Sequence, residues 1–355
     1  MKPRRLQIAI LCGAQCFCLA VGLLLQNRLM AAIDGAQTPA VTHGSEWNLV
    51  FPLTFMWIAG TQAVVAWLLL QRMFGIHSLK EQQSQEENLR TARELVRTRD
   101  AVIFGLAKLA ESRDPDTGHH LERIALYSTR IAQAARRHSR YRDIVNAQFV
   151  RTIGISSALH DIGKVGVEDA ILLKPGSLTD SERRRIQLHA TVGGDCIRQI
   201  ERRLGNSTFL SMAREIALYH HERWDGDGYP HGLKAEDIPL AARIVAIADV
   251  YDALSVKRVY KEALPHEVCV DKIRREAGRQ FDPDLVDVFL SIEPQIAEIA
   301  ERLRGQPRDQ MDLGEMFDLA NRAPSRMTAE QEMLLEKTLA EELFPSQKPV
   351  QPLAD

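Results

Sequence analysis

An ordered series of histidines and aspartates constrains the fold of this chain more than any other feature of its sequence. The series runs through His160-Asp161, His189, His220-His221 and Asp249. Imidazole and carboxylate groups in such an order suit two adjacent divalent metal ions, which together can activate water and hold a phosphate ester. A fold that serves this chemistry must bring segments that are distant in sequence to one site.

Each member of this series is weak evidence by itself. A lone histidine such as His189, on a predicted helix, is more often a hydrogen-bonded, half-buried residue than a metal ligand. His220 and His221 are consecutive and point about 100° apart on a helix, so both reach one site only at a helix end or between two ions. The loop at residues 226–230, Gly-Asp-Gly-Tyr-Pro, supplies such an end.

Two charged residues favour the same interpretation. Lys164 follows His160 by four residues, and a lysine beside a divalent cation is repelled unless an anion such as phosphate lies between them. Asp249 follows an apolar run, and burying a carboxylate is costly unless it has a partner. A metal ion is one such partner, and Arg243 or Arg258 would be the structural alternative.

A further pair lies upstream of the series. Asp116 and His120 are four residues apart, so both can face one cluster if the segment is helical. His119 would then point elsewhere, towards the surface. With His120 included, five of the eleven histidines belong to one predicted cluster, which is more than scattered structural histidines would give.

Two uncharged stretches near the start of the chain predict membrane-spanning helices. Residues 6–25 and 48–71 contain no charged residue, and each exceeds the roughly 18 residues needed to cross a bilayer. A cleaved signal peptide and a buried core helix are the respective alternatives, and both fit such long apolar runs less well. We therefore expect residues 1–75 to form a two-helix transmembrane hairpin with a short periplasmic loop. Basic flanks place both ends in the cytoplasm.

A helical linker is predicted over residues 76–112, which are rich in charge and contain no proline. Leu89, Val96 and Ile103 are seven residues apart, as in a coiled coil, although an ordinary amphipathic helix explains the pattern equally well. A coiled coil would permit a homodimer through residues 79–110.

The remainder of the chain shows helical periodicity and few alternating runs, which predicts an all-α domain over residues 113–293. Thr179, with Glu182 three residues later, is a candidate helix N-cap. Residues 294–355 are expected to form a helical C-terminal extension and a disordered tail.

Composition excludes other classes of protein. The net charge of −2 provides no overall basic field for nucleic acid. The five cysteines show no paired spacing, because Cys12, Cys16 and Cys18 lie in the first apolar stretch and Cys196 and Cys269 are isolated. Reduced, structural thiols are therefore expected.

Further motifs surround the series in a definite order. They are His120 with Arg123, HDIGK at 160–164, LLKPGSLT at 172–179, HHERWDGDGYP at 220–230, LKAEDIPLAARIVAIADVYDAL at 233–254, RVYK at 258–261 and GRQFDPDLVDVFL at 278–290. Over residues 98–293 the set closely resembles the HD-GYP family of bacterial cyclic di-GMP phosphodiesterases. The resemblance implies an all-α HD-domain helical bundle with an HD-GYP extension. With the two predicted spans, the resemblance also implies a multi-pass protein of the bacterial inner membrane. Its catalytic domain would lie in the cytoplasm.

The resemblance also implies roles for individual residues. The implied metal ligands are His120, His160, Asp161, His189, His220, His221 and Asp249. Asp161 would bridge two ions, and Lys164 would contact the scissile phosphate. Arg258 and Lys261 match nucleotide-binding residues of the family. Tyr229 and its loop flank the site, where they could also contact GGDEF-domain partner proteins.

Asp116 is the main departure from the family pattern. Members with three metals usually carry glutamate at this position, and aspartate is one methylene shorter. We therefore expect two divalent ions, iron or manganese. The alternative is a centre with a third ion, for which Asp116 would be a ligand.

The expected function is that of a membrane-anchored phosphodiesterase that hydrolyses cyclic di-GMP to pGpG, GMP or both. One alternative is an HD hydrolase that acts on another cyclic dinucleotide or a nucleotide phosphate. Another is a non-catalytic cyclic di-GMP sensor or interaction module, against which the complete ligand set argues.

Overall fold

The computed structural model describes residues 47–113, 119–205, 207–257 and 262–304, together with isolated positions between 22 and 31. The chain divides into two units, Met1–Leu89 and Arg90–Asp355, and the candidate site lies in the second.

Helices account for nearly all of the regular structure in the described residues. They are α1 (Trp47–Glu111), α2 (His120–Ala135), α3 (Ala147–Ser157), α4 (Asp169–Leu172), α5 (Asp180–Leu204), α6 (Thr208–Tyr219), α7 (Leu240–Ser255), α8 (His266–Arg275), α9 (Pro283–Ser291) and α10 (Glu293–Arg304). Two short 3₁₀ helices, Ile162–Gly166 and Ala235–Asp237, lie between them. The β pairing in the described residues is an isolated bridge between Ala277 and Phe281. The all-α prediction is confirmed.

The predicted transmembrane hairpin is wrong. Residues 48–71 lie in α1, where Thr61 and Gln62 interrupt the apolar run and Arg72 closes it. Within the described ranges, none of the helices combines the length with the apolar density that a bilayer crossing requires. The multi-pass inner-membrane localisation, which depended on the hairpin, is corrected with it. The other predicted span, residues 6–25, lies almost entirely outside the described residues.

The predicted linker, residues 76–112, falls within α1 up to the end of that helix at Glu111. Its proposed coiled-coil pairing stays a prediction, as do the segment boundaries at 75, 112 and 293. The predicted tail and most of the C-terminal extension, residues 305–355, lie outside the described residues.

The core of the second unit forms where α2 packs against α3, α7, α9 and α10. Apolar side chains recur every three or four residues along α2, so one stripe of the helix faces its neighbours. Ile124 and Tyr127 of α2, Ile153 of α3, Ile247 of α7 and Phe289 of α9 are each almost completely buried. Burial of each isoleucine or phenylalanine side chain among these contributes about 1.5–3 kcal/mol. This core holds α2 and α7, which carry His120 and Asp249, and α3, whose end leads into His160 and Asp161.

The start of α5 is set by the predicted cap. The Thr179 hydroxyl accepts a hydrogen bond from the backbone N–H of Glu182, and the Glu182 carboxylate accepts one from the backbone N–H of Thr179. This capping box satisfies two backbone donors that a helix start otherwise leaves unpaired. It therefore fixes the register in which α5 presents His189.

Candidate metal centre

A tight turn after α3 creates the first part of the site. His160 and Asp161 lie between the end of α3 and the 3₁₀ helix Ile162–Gly166, which packs on α5. A side chain at Gly163 would place its Cβ 1.9 Å from the backbone oxygen of His189. The absence of a side chain at Gly163 therefore lets the turn approach α5 closely enough to bring Asp161 beside His189.

The structure brings all seven predicted ligands into two groups. One group contains Asp161, His189, His220 and His221, and the other contains His120, His160 and Asp249. Within each group the candidate ligand atoms lie within 4.8 Å of one another. The convergence matches the site that the sequence predicts, and the ligand roles themselves stay a prediction.

The histidine rings are oriented as metal ligands usually are. The Nδ1 atoms of His160, His189 and His220 each lie 2.6–2.9 Å from a backbone carbonyl oxygen three or four residues earlier. Donation from Nδ1 leaves the Nε2 lone pair free. Those three Nε2 atoms are buried and have no hydrogen-bond partner. Buried polar atoms are normally satisfied, so a divalent cation fits these residues.

The Asp161 carboxylate lies between the two groups. Its Oδ2 is 3.2 Å from Nε2 of His160, in one group. Its Oδ1 is 3.2 Å from Nε2 of His189 and 3.7 Å from Nε2 of His220, in the other. One oxygen therefore faces each group, which is the arrangement that a bridging carboxylate requires.

Electrostatics holds Asp161 and His221 in the forms that metals bind, whereas at His160 the effect of burial is outweighed by Asp161 and the pKa is raised to about 9, so a bound ion would displace a proton there. Burial acts to raise the pKa of Asp161, but Lys164 and His160 outweigh it and hold that pKa well below its usual range. Burial and the neighbouring His220 hold the pKa of His221 well below its usual range, so this imidazole is neutral. An anionic carboxylate and a neutral imidazole are the forms that coordinate metal ions.

Lys164 and Tyr229 line the cavity that opens onto the two groups. The Lys164 ammonium lies 2.8 Å from Oδ2 of Asp161. The Tyr229 ring stacks on His221 with 4.7 Å between ring centroids. The Glu222 carboxylate accepts hydrogen bonds from the backbone N–H groups of His231 and Leu233, which fixes the loop that carries Tyr229. Two of the four predicted substrate-contacting side chains thus line the cavity.

His120 is held by a buried network. Its Nδ1 lies 2.6 Å from Oδ2 of Asp252, and Arg123 donates two hydrogen bonds to the same carboxylate. Burial acts to raise the pKa of Asp252, but His120 and Arg123 outweigh it and lower the pKa to about 2. Asp252 is therefore anionic and orients His120 so that Nε2 faces the site.

Glu111 is a cavity residue that the sequence analysis missed. It is the last residue of α1, it is buried, and its Oε1 lies 3.5 Å from Nε2 of His120. Burial raises the pKa of its carboxyl group, although His120 and His160 act in the opposite direction. In a highly charged helix, the sequence does not distinguish a buried glutamate from a solvent-exposed one. The spacing of Glu111 therefore did not predict a place in the site.

Three of the predicted site residues, Asp116, Arg258 and Lys261, lie outside the described residues. Their roles stay predictions.

The Asp252 network gives a first prediction. Asp252→Asn removes the charge that holds His120 and Arg123, so we expect metal affinity to fall by about 10- to 100-fold, as is usual when a partner of a ligand is lost. Titration of the metal-free protein with Mn²⁺ measures the change. Asp282→Asn is the matched control, since Asp282 is equally buried and accepts hydrogen bonds from Tyr141 and Arg243. Equal losses in both variants would contradict the positioning role.

The chain is similar in sequence to several curated phosphodiesterases. The chain is 47% identical over 219 residues to a protein named probable cyclic di-GMP phosphodiesterase from Vibrio cholerae, covering 61% of this chain and 50% of that one. It is 41% identical over 201 residues to a cyclic di-GMP phosphodiesterase from Thermotoga maritima, covering 57% and 51%. It is 38% identical over 204 residues to a 3'3'-cGAMP-specific phosphodiesterase from Vibrio cholerae, covering 58% and 37%.

The chain spans about half the length, or less, of these curated relatives. The names of the first two confirm the resemblance to cyclic di-GMP phosphodiesterases that the motifs indicated. The HD domain family matches residues 106–285, a range that contains all seven predicted ligands. The chain belongs to the HD domain family.

Proposed function

We propose that this chain is a metal-dependent phosphodiesterase that hydrolyses cyclic di-GMP to pGpG, GMP or both through a binuclear metal centre. The observation that carries the proposal is the position of Asp161, whose two oxygens each face one of two adjoining histidine groups. Three buried Nε2 atoms without hydrogen-bond partners surround it. A single structural ion pair would need neither feature.

Divalent ions bound here, iron or manganese, would supply Lewis-acid activation of water and would neutralise charge on the phosphate. His120, His160 and Asp249 would hold one ion, and His189, His220 and His221 the other, with Asp161 shared between them. Four of these donors, His120, His160, His189 and His220, are buried, and the lower local dielectric strengthens the electrostatic interactions around them.

Lys164 is proposed to bind the scissile phosphate. Its ammonium lies against Asp161, at the boundary between the two groups. A phosphate oxygen entering there meets a preorganised positive charge, which stabilises negative charge that develops during hydrolysis. Tyr229 is proposed to contact the substrate on the His221 side of the cavity, and Arg258 and Lys261 are proposed to bind its nucleotide part.

A second candidate substrate is 3'3'-cGAMP. It is favoured by the relative named as specific for that dinucleotide, at 38% identity. The two dinucleotides share the same phosphodiester chemistry, so the metal groups do not discriminate between them. Homodimerisation through residues 79–110 and contact of the Tyr229 loop with GGDEF-domain proteins stay predictions.

The proposal is tested by product chromatography with the full chain, purified without oxygen and loaded with Fe²⁺ or Mn²⁺. We expect cyclic di-GMP to be converted to pGpG or GMP, and a chelator to abolish the conversion. Parallel reactions with 3'3'-cGAMP and with a simple phosphodiester compare the substrates. Faster turnover of 3'3'-cGAMP would establish the second candidate. Binding of cyclic di-GMP without turnover by metal-loaded protein would establish the non-catalytic alternative.

A further inference from the structure

The long helix α1 ends inside the candidate metal centre. Its last residue, Glu111, is 8% exposed and lines the same cavity as His120, Asp161 and Asp249. Its Oε1 lies 3.5 Å from Nε2 of His120. The end of α1 therefore places a carboxylate beside one of the two groups of candidate ligands.

Hydrogen bonds and an ion pair made by Arg113 hold the C-terminal end of α1 in place. Arg113, two residues after Glu111, donates hydrogen bonds of 3.1 Å to the backbone oxygens of Val165 and Val167 and pairs with Asp169. The two backbone oxygens belong to the turn that follows Asp161. The position of Glu111 is thereby tied to the same segment that carries the central carboxylate.

The orientation of the His120 ring places Glu111 next to any metal ion that the His120 Nε2 atom would bind. Asp252 occupies the Nδ1 side of the ring, so Nε2 points towards Glu111. In the described residues, His120 is the ion-pair partner found for Glu111. Burying a carboxylate costs free energy unless a cation or hydrogen-bond donors compensate it, and a single imidazole shared with Asp252 compensates it poorly.

The group formed by His120, His160 and Asp249 has fewer protein donors than the ions would accept. Together with one oxygen of Asp161 it offers four ligand atoms, as does the group of His189, His220 and His221, whereas iron and manganese with nitrogen and oxygen ligands commonly take more. An additional carboxylate oxygen next to His120 would add a ligand of the kind these ions favour.

We propose that Glu111 is a further metal ligand, bound to the ion held by His120, His160 and Asp249. The inference rests on the proposed binuclear function and adds a donor from α1 to it. The metal centre then includes the last turn of the long helix. Binding of this one ion therefore depends on the position of the C-terminal end of α1. The ion held by His189, His220 and His221 does not depend on it.

The test is metal binding rather than turnover. Full-length protein is stripped with a chelator and titrated anaerobically with Mn²⁺, and free Mn²⁺ is followed by electron paramagnetic resonance. We expect Glu111→Gln to weaken one of the two binding steps at least about tenfold, which is the smallest effect usual for groups that support a metal, and to leave the other unchanged. Glu111→Asp, one methylene shorter, should weaken the same step.

Glu122→Gln is the matched control. Glu122 is also a buried glutamate, but it pairs with Lys108 and His119 outside the cavity. We expect this variant to bind Mn²⁺ like the wild type. Circular dichroism checks that each variant is folded. If Glu111→Gln does not fold, the Mn²⁺ titration of Glu111→Asp tests the role of Glu111 instead.

Unchanged Mn²⁺ binding by a folded Glu111 variant would overturn the inference. If the wild type hydrolyses cyclic di-GMP in that case, the proposed function survives and only the role of Glu111 is lost. Failure of the wild type itself to bind two equivalents of Mn²⁺ would instead remove the binuclear centre on which both proposals depend.

Discussion

Asp161→Ala is expected to lower the turnover of cyclic di-GMP by at least about a thousandfold and to leave less than one equivalent of bound metal. The carboxylate of Asp161 has one oxygen facing each of the two groups. Removing it would cost both proposed ions a donor and would leave the two cations to repel each other without an anion between them. Loss of one preorganised charged group in such a site commonly costs 10²- to 10³-fold, and metal loss adds to that.

The measurement pairs initial rates with metal analysis on the same sample. Asp195→Ala is a suitable control, because Asp195 lies on α5 in an exposed pair with Arg198 at 3.5 Å. It should retain activity and metal, since exposed ion pairs contribute little. An Asp161→Ala protein with full metal content and full turnover would show that the catalytic centre lies elsewhere.

Much of the candidate site could be predicted from the sequence because adjacency restricts geometry. His160 and Asp161 are neighbours, as are His220 and His221, so each pair had to lie at the end of a helix to act together. The structure places the first pair between α3 and a 3₁₀ turn, and it ends α6 at Tyr219, immediately before the second pair. The capping box at Thr179 similarly fixed where α5 begins.

Glu111 could not be predicted in this way. Its neighbours in sequence are charged or small, and its burial depends on how the end of α1 packs on the turn at residues 162–166. Only tertiary contacts, such as those of Arg113 with Val165 and Val167, reveal that this glutamate faces inward. The local sequence indicates helix propensity. The burial of a single polar residue, in contrast, depends on contacts with residues that are distant in sequence.

The membrane prediction failed for a related reason. A count of uncharged residues over 48–71 ignores the polar side chains among them, and Thr61 and Gln62 lie near its middle. The described part of α1 continues without a break from this stretch into the charged linker. Absence of charge is therefore a weaker criterion than the apolar density of the whole helix.

Gly163→Ala is expected to destabilise the folded protein by about 3 kcal/mol or more and to abolish metal binding. An alanine Cβ at this position would lie 1.9 Å from the backbone oxygen of His189 and 2.5 Å from the backbone nitrogen of Gly193. Both obstacles are backbone atoms of α5, so neither can rotate away, and the turn must separate from the helix. Overpacking usually costs 1–3 kcal/mol, and a clash with backbone lies at or above the upper end of that range.

The separation would also move Asp161 away from His189, because the turn that carries Gly163 begins immediately after Asp161. Urea denaturation measures the loss of stability, and Mn²⁺ titration measures the loss of the site. Gly105→Ala is the matched control, since a Cβ there meets no atom within 4 Å in the interior of α1, and it should gain about 0.5–1 kcal/mol from the better helix former. The same substitution should therefore have opposite signs at the two positions. A Gly163→Ala protein as stable as the wild type would mean that α5 does not approach the turn as closely as the structure shows.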